Sequence, residues 1–376
     1  MSEPLPDAPP AAAALASDAP LRCASCGAEV TESERFCESC GSPLSPTVDV
    51  VAGSPDGGES PVELSRPVGA PATGEGAALP AAAVTPCLSC GGEVGTDGYC
   101  LTCGTKAPSP RDHYVEQPAS WVAACCDRGI RHHRNEDATA VAADPTPGSR
   151  AVLVVCDGVS TSTDSDVAAL AGARAARDVL VGSRPSGLGV TASRAAALAQ
   201  AFGSATAQAN AAVVANTAPD SDNAASCTFA AAVVEGDLVV YANVGDSRVY
   251  WLPDTGQPVE LSQDDSVAQA RIAMGVPREQ AENGPQAHAI TKWLGRDSPD
   301  FSPRTGSLQL TAPGWVLVCS DGLWNYASAA TDLQALVAGL SPAAAGQPLA
   351  LAVALVSWAN AQGGKDNISA ALARHG

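Results

Sequence analysis

The sequence predicts an α+β protein preceded by two small cysteine modules. Three observations carry this: short apolar runs closed by Gly, Asp or Asn turns from Trp121 onward, longer Ala/Leu-rich segments between those runs, and a twice-repeated pair of C-x-x-C knuckles ahead of them. Ala151–Cys156, Thr228–Val234, Asp237–Val244, Arg248–Leu252 and Trp315–Ser320 read as strands, because each is a β-rich apolar run of strand length. Glu235-Gly236-Asp237 reads as a hairpin turn, so its flanking strands should pair antiparallel. Asp164–Val181, Thr191–Ala215 and Pro348–Gln362 are long enough and rich enough in Ala and Leu for helices.

Residues 1–20 form a Pro/Ala tract and residues 45–86 a Pro/Gly/Ala/Ser tract, neither with any hydrophobic period. Such composition cannot bury enough apolar surface to offset chain entropy, so the first is expected to be disordered and the second a flexible linker. The formal net charge of −19 disfavours binding to nucleic acid or to an anionic membrane, both of which need clustered cations. No apolar stretch approaches the roughly 20 residues of a membrane helix, and the start lacks a secretory pattern, which leads to the expectation of a cytoplasmic protein.

Eight of the thirteen cysteines fall in C-x-x-C pairs: Cys23, Cys26, Cys37 and Cys40, then Cys87, Cys90, Cys100 and Cys103. Two knuckles about ten residues apart can close one tetrahedral thiolate site, and four thiolates leave no open position, so each quartet predicts a structural zinc. The expected modules are ribbon 1 at 21–44 and ribbon 2 at 87–106. Gly27, Gly41, Gly91 and Gly104 follow the second cysteine of each knuckle and supply the left-handed turn it needs. The first ribbon is acidic (Glu29, Glu32, Glu34, Glu38), which favours a protein partner over nucleic acid.

Downstream, carboxylates recur where predicted strands end: Glu136-Asp137, Asp157-Gly158, Asp246, Asp321-Gly322 and Asp366-Asn367. Any one of them is an ordinary turn residue, but five together suggest a shared site. Oxygen ligands without His or thiolate select Mg²⁺ or Mn²⁺ over zinc, and two such ions can activate water against a phosphoryl group.

Asn135-Glu136-Asp137, Asp157-Gly158, Gly245-Asp246-Ser247-Arg248, Ser320-Asp321-Gly322-Leu323 and Asp366-Asn367-Ile368 stand in the order of the motifs of the PPM, or type 2C, protein serine/threonine phosphatases, bacterial type, which the region from Trp121 onward resembles. The resemblance implies a four-layer α-β-β-α sandwich of two antiparallel sheets over 112–376, with a dinuclear Mn/Mg centre at one end. It implies that Asp157 bridges both metals, that the Gly158 carbonyl contacts the second, and that Asp321 and Asp366 hold the first. Glu136 and Asp137 would act at or just outside the ligand shell, and Asn367 would help to hold the water network. It further implies hydrolysis of phosphoserine and phosphothreonine by a metal-bound hydroxide without a covalent phosphoenzyme, phosphoprotein substrates of serine/threonine kinases, and a role in signal transduction.

The pattern departs from the family in places. The arginine expected three residues before Asn135 is His132, so Arg131 and His132 are expected to share the grip on phosphate. The turn after Asp157 carries Ser160 and Thr161 in place of glycines, and Asp222 is the nearest candidate for a third metal. Val267–Gly295 resembles a mobile flap beside the cleft. Two other functions stay open: a pseudophosphatase serving as a binding or sensing module, and a phosphatase acting on an anti-sigma antagonist.

Overall fold

A computed structural model of the protein describes Arg22 and residues 86–376 apart from 88, 97, 186–188 and 345. The tract 1–20, the first cysteine quartet and the linker up to residue 85 lie outside the described residues. The chain divides into two compact units, Met1–Pro108 and Ser109–Gly376. The second therefore begins three residues before the expected boundary at 112.

In chain order the second unit opens with β1 (His113–Ala119), β2 (Val122–Asp127), β3 (Ala138–Ala143) and β4 (Ala151–Cys156), followed by α1 (Ser165–Gly182) and α2 (Thr191–Ala215). Then come β5 (Ser226–Cys227), β6 (Phe229–Glu235), β7 (Leu238–Val244), β8 (Arg248–Pro253) and β9 (Val259–Glu260). The flap segment holds α3 (Val267–Ala273), α4 (Arg278–Glu282) and β10 (Leu294–Gly295). The remainder is β11 (Arg304–Gln309), β12 (Gly314–Cys319), α5 (Asp321–Trp324), α6 (Ala330–Ala344), α7 (Pro348–Ala361) and β13 (Ile368–His375).

The strands form a six-stranded sheet in the order β1-β2-β13-β12-β8-β9 and a five-stranded sheet in the order β11-β7-β6-β4-β3, with β5 and β10 paired separately. Every pairing is antiparallel. The period of two decides the layers. Along β4, Val152, Val154 and Cys156 face α1 and α2, while Ala151, Leu153 and Val155 face the other sheet. Along β12, Trp315, Leu317 and Cys319 face α6 and α7, while Val316 and Val318 face inward. The result is the expected four-layer sandwich.

Alanine makes the helical layers thin. Ala169, Ala173 and Ala176 of α1 and Ala201, Ala205 and Ala209 of α2 are buried in one cluster. A Cβ placed on Gly172 would stand 3.1 Å from a Val213 methyl, so the glycine makes room for α2 to pack closely on α1. The hairpin expected at Glu235–Asp237 joins β6 to β7, with Gly236 at φ 57°.

Strands β1, β2, β3, β11 and β13 escape the sequence reading. β2 (VAACCD) and β13 (ISAALARH) are rich in alanine and cysteine, and they become strands because each is hydrogen-bonded on both sides within the sheet. The flap segment is not bare loop: Ala268, Ala281 and Ala287 form its own small apolar cluster.

Candidate active site

Register places the functional residues at one end of both sheets. In the five-stranded sheet Ala138 at the start of β3 faces Cys156 at the end of β4, so Asp137 and Asp157 emerge side by side. In the six-stranded sheet Cys319 at the end of β12 faces Arg248 at the start of β8 and Ala370 near the start of β13, which gathers Asp246, Asp321 and Asp366. Asp157, Gly158, Asp246, Asp321 and Asp366 line one cavity of about 380 Å³, and His288 of the flap segment lines it with them.

Glycine permits the close packing of these loops. A Cβ on Gly158 would lie 2.7 Å from the Glu136 carbonyl oxygen, and one on Gly322 would collide with the Asn367 carbonyl. The turn after Asp157 closes through Ser162, whose amide (2.9 Å) and hydroxyl (2.7 Å) both donate to the Val159 carbonyl. Ser160 and Thr161 thus occupy a differently built turn, with Asp164 at φ 55° ahead of α1.

The electrostatics are those of crowded like charges. Burial pushes Asp157 well above the usual carboxylate range, and Asp137, Asp321, Asp366 and Asp246 push it further. Burial does the same to Asp321, reinforced by Asp366, Asp246 and Asp137. Asp137 and Asp246 are each raised to about 7, again chiefly by burial. Oδ1 of Asp137 and Oδ1 of Asp321 are buried with no hydrogen-bond partner, whereas their other oxygens accept from Ser320 Oγ (2.6 Å) and Asn325 Nδ2 (3.0 Å). Buried acceptors normally find donors, so unpaired carboxylate oxygens around a cavity fit hard divalent cations. No three of these carboxylates come as close together as the ribbon thiols do: among the described residues, Cys87, Cys90, Cys100 and Cys103 are the only such group whose ligand atoms lie within 4.8 Å of one another.

Glu136 and Asp137 do not line the cavity but are buried at its margin. Glu136 is held ionised against the effect of burial by His132 and by Arg134, whose Nε donates to Oε1 at 2.9 Å. His132 stands between two carboxylates, 3.5 Å from Glu136 Oε2 and 3.2 Å from Asp366 Oδ1. Burial opposes its protonation, yet the Glu136 hydrogen bond and the Asp366 charge raise its affinity for a proton. Arg131 is exposed, and its backbone amide donates to the Gly364 carbonyl at 3.2 Å. Asn367 spends its amide on main chain: Oδ1 accepts from Glu136 N (2.7 Å), and Nδ2 donates to the carbonyls of Arg128 (2.7 Å) and Arg134 (3.1 Å). Asp222 is exposed and is not among the residues lining the cavity.

Two residues that sequence reasoning did not single out matter here. His288 reaches the cavity from the flap segment, where no local motif marks it. Arg111 precedes β1, and its Nη2 donates to the carbonyls of Asp137 (2.8 Å), Asn135 (3.4 Å) and Asp166 (3.4 Å), while Asn135 Nδ2 returns a bond to the Arg111 carbonyl (2.8 Å).

In the ribbon unit, Sγ of Cys87 lies 3.7 Å from that of Cys103, and Sγ of Cys90 lies 3.5 Å from that of Cys100. Tetrahedral zinc thiolate bonds of about 2.3 Å put sulfurs about 3.8 Å apart, so the quartet fits zinc. Gly91 and Gly104 take φ 72° and 71°, as their places in the knuckles require. Thr105 pulls the Cys103 thiol down to about 6, whereas, against the Gly92 amide, Cys103 and Cys100 push Cys90 up to about 12, so the four sulfurs share fewer than four negative charges until a cation joins them.

The chain belongs to the protein phosphatase 2C family, whose model matches residues 129–358. A zinc-ribbon domain model matches residues 22–44, which contain the first quartet. Protein phosphatase PhpP of Streptococcus pneumoniae is 32% identical over 135 residues, covering 35% of this chain and 51% of that protein. Serine/threonine phosphatase stp of Listeria welshimeri is 28% identical over 151 residues, covering 40% and 57%. The chain thus spans about half the length of the curated relatives it matches. Among solved structures, Stp1 from Staphylococcus aureus superposes with a TM-score of 0.55 at 24% identity, covering 68% of this chain and 94% of that one. The S. agalactiae serine/threonine phosphatase does so at 0.53 and 23% identity, covering 70% and 100%. At these identities the superpositions establish the shared fold.

Raised carboxylates bind protons more tightly in the folded than in the unfolded chain. Their contribution to stability is therefore full below the ordinary Asp range near pH 4 and is lost as pH rises through about 7, where Asp137 and Asp246 ionise. Metal-free protein is expected to melt several degrees lower at pH 8 than at pH 5.5, and added Mn²⁺ to raise the melting temperature more at pH 8, as scanning calorimetry at both pH values would test. Arg111→Ala is expected to weaken Mn²⁺ binding by about tenfold or more, with partial rescue by Arg111→Lys, measured by titration calorimetry.

Proposed function

We propose that this protein is a serine/threonine phosphatase that hydrolyses phosphoserine and phosphothreonine on proteins with two Mn²⁺ or Mg²⁺ ions held at the carboxylate cavity. The observation that carries the reading is the convergence of Asp157, Asp246, Asp321 and Asp366 on one cavity, with the proton affinity of Asp157, Asp246 and Asp321 raised by burial and a buried Asp321 oxygen that lacks a partner. Asp157, the Gly158 carbonyl, Asp321 and Asp366 would hold the pair, with Glu136 and Asp137 at its edge through water. The ions supply activation of water and neutralisation of the phosphoryl oxygens. Asp222 is the residue assigned to a third ion should one bind.

The chain's own residues do the rest by holding geometry. Asn367 fixes the Glu136 backbone relative to β13. Thr228 Oγ1 accepts from the Asp157 amide at 3.0 Å and bonds Ser247 Oγ at 2.7 Å, which locks the end of β4 to the β7–β8 turn. Arg134, next to the N-E-D loop, is already paired with Glu136, so we assign the phosphate grip to His132 and Arg131 just before it, with His132 able to carry a proton because Glu136 and Asp366 flank it.

Each ribbon is assigned one structural zinc: Cys23, Cys26, Cys37 and Cys40 in the first, Cys87, Cys90, Cys100 and Cys103 in the second. The acidic first ribbon supports docking to a protein partner rather than to nucleic acid. Among the described residues no helix is long and apolar enough to cross a membrane.

Purified protein should release phosphate from phosphoserine peptides with Mn²⁺ and lose that activity on chelation; manganese binding without any turnover would instead mark a binding module. Asp157→Asn and Asp321→Asn should each lower turnover by at least about 100-fold with the fold retained by circular dichroism. Elemental analysis should find two zinc ions per chain, and Cys90→Ser should remove one of them while leaving phosphatase turnover measurable.

A further inference from the structure

Next to the carboxylate cavity lies a second hollow of about 300 Å³, lined among others by Glu282, His288, Trp324, Asn325, Lys365 and Asp366. The two share His288 and Asp366, so they are neighbouring compartments of one cleft. We propose that this hollow is the subsite for a side chain flanking the phosphorylated residue, and that Lys365 makes it select an acidic one. The proposal rests on the phosphatase reading above, because it takes the phosphate to lie among the carboxylates and the neighbouring peptide residue to lie beyond His288.

An inventory of the lining leaves one uncommitted charge. Glu282 Oε1 accepts from Arg278 Nη1 (2.9 Å), Ser328 Oγ (2.6 Å) and Arg248 Nη2 (3.4 Å), so two guanidinium groups already neutralise it. Asn325 Nδ2 is spent on Asp321 Oδ2 (3.0 Å), and Asn283 Nδ2 on the Glu279 carbonyl (2.8 Å). Burial holds His288 below its ordinary value, which opposes a charge on its imidazole. Asp366 Oδ1 is engaged by the Asn367 amide (2.8 Å) and by His132 Nε2 (3.2 Å). Only the Lys365 ammonium, among the described residues that line the hollow, is charged and in no ion pair.

Its main chain is not loose. The Lys365 amide donates to the Tyr326 hydroxyl (3.0 Å), and Gly364 before it, at φ 48°, accepts from the Ile130 amide (2.9 Å). The exposed Lys365 side chain therefore rises from a hydrogen-bonded loop adjoining Asp366. A volume of about 300 Å³ lies at the small end of ligand pockets, enough for one side chain with water but not for a folded element. In a chain of net charge −19 the general field repels acidic peptides, so preference for one has to come from a local cation of this kind.

The test uses the full-length protein with Mn²⁺, p-nitrophenyl phosphate, and three phosphoserine peptides identical except for Asp, Ala or Lys at the positions flanking phosphoserine. The readout is the ratio of kcat/KM between peptides, from which any general change in activity cancels. The wild type should favour the Asp peptide over the Ala peptide by about three- to fivefold, the scale of one exposed ion pair. Lys365→Ala should level that ratio and Lys365→Glu should invert it in favour of the Lys peptide. Ratios that neither substitution moves would overturn the subsite alone, since the peptides would still be hydrolysed. Failure of the wild type to hydrolyse either the aryl phosphate or any peptide would overturn the phosphatase reading, and the subsite with it.

Discussion

Acidic groups crowded together at a half-buried cavity, where few donors reach them, are the constraint on which the second unit is organised. Desolvation and mutual repulsion both oppose the ionised state of Asp157 and Asp321, and a fold keeps such an arrangement only where the frame around it is stiff and a compensating charge can enter. The stiffness comes from two antiparallel sheets whose inward faces are filled by Val, Leu and Ala, so that the strand ends cannot drift apart. The compensation is a matter of chemistry: oxygen donors with unfilled lone pairs, and neither thiolate nor imidazole lining the cavity except His288, suit hard divalent ions.

The frame also ties the flap segment to the floor of the cavity. Arg248, itself buried, donates to both oxygens of Asp264 through Nε at 3.0 and 3.1 Å, and its guanidinium lies 3.5 Å over the Trp324 ring. Trp324 in turn donates from Nε1 to the Asp246 carbonyl at 3.0 Å, and it follows Asp321 by three residues in α5. Glu282 of α4 reaches the same guanidinium at 3.4 Å. Glu282 of α4 is thus joined to the Asp246 carbonyl and to α5 by packed, hydrogen-bonded groups. His288, whose ring centroid lies 6.1 Å from that of Trp324, lies at the end of that path and separates the two hollows.

The two units solve the problem of stability differently. The sandwich buries three large apolar clusters that define its layers. The ribbon of residues 86–107 has two buried cysteines and little else at its centre, so its fold depends on a cation drawing four thiols together. The chain thus combines a thiol quartet suited to a structural metal with a carboxylate cavity suited to hard cations, and the ligand types keep the two apart: sulfur in the ribbon of residues 86–107, oxygen in the sandwich.

What the sequence determined by itself was whatever depends on near neighbours. The strands β4, β6, β7, β8 and β12 announce themselves through apolar runs, the helices α1, α2 and α7 through length and alanine content, the ribbons through cysteine spacing, and the order of the acidic motifs through their fixed companions Gly, Asn and Ser. Tertiary structure decided everything set by partners far away in the chain. β2 and β13 are strands because of each other and not because of their alanines, Arg111 clasps carbonyls 24 to 55 residues away, and His288 and Lys365 meet in one hollow across 77 positions (365 − 288). Local propensity acts over a few residues, whereas convergence at a sheet end is fixed by register and packing, which no short pattern encodes.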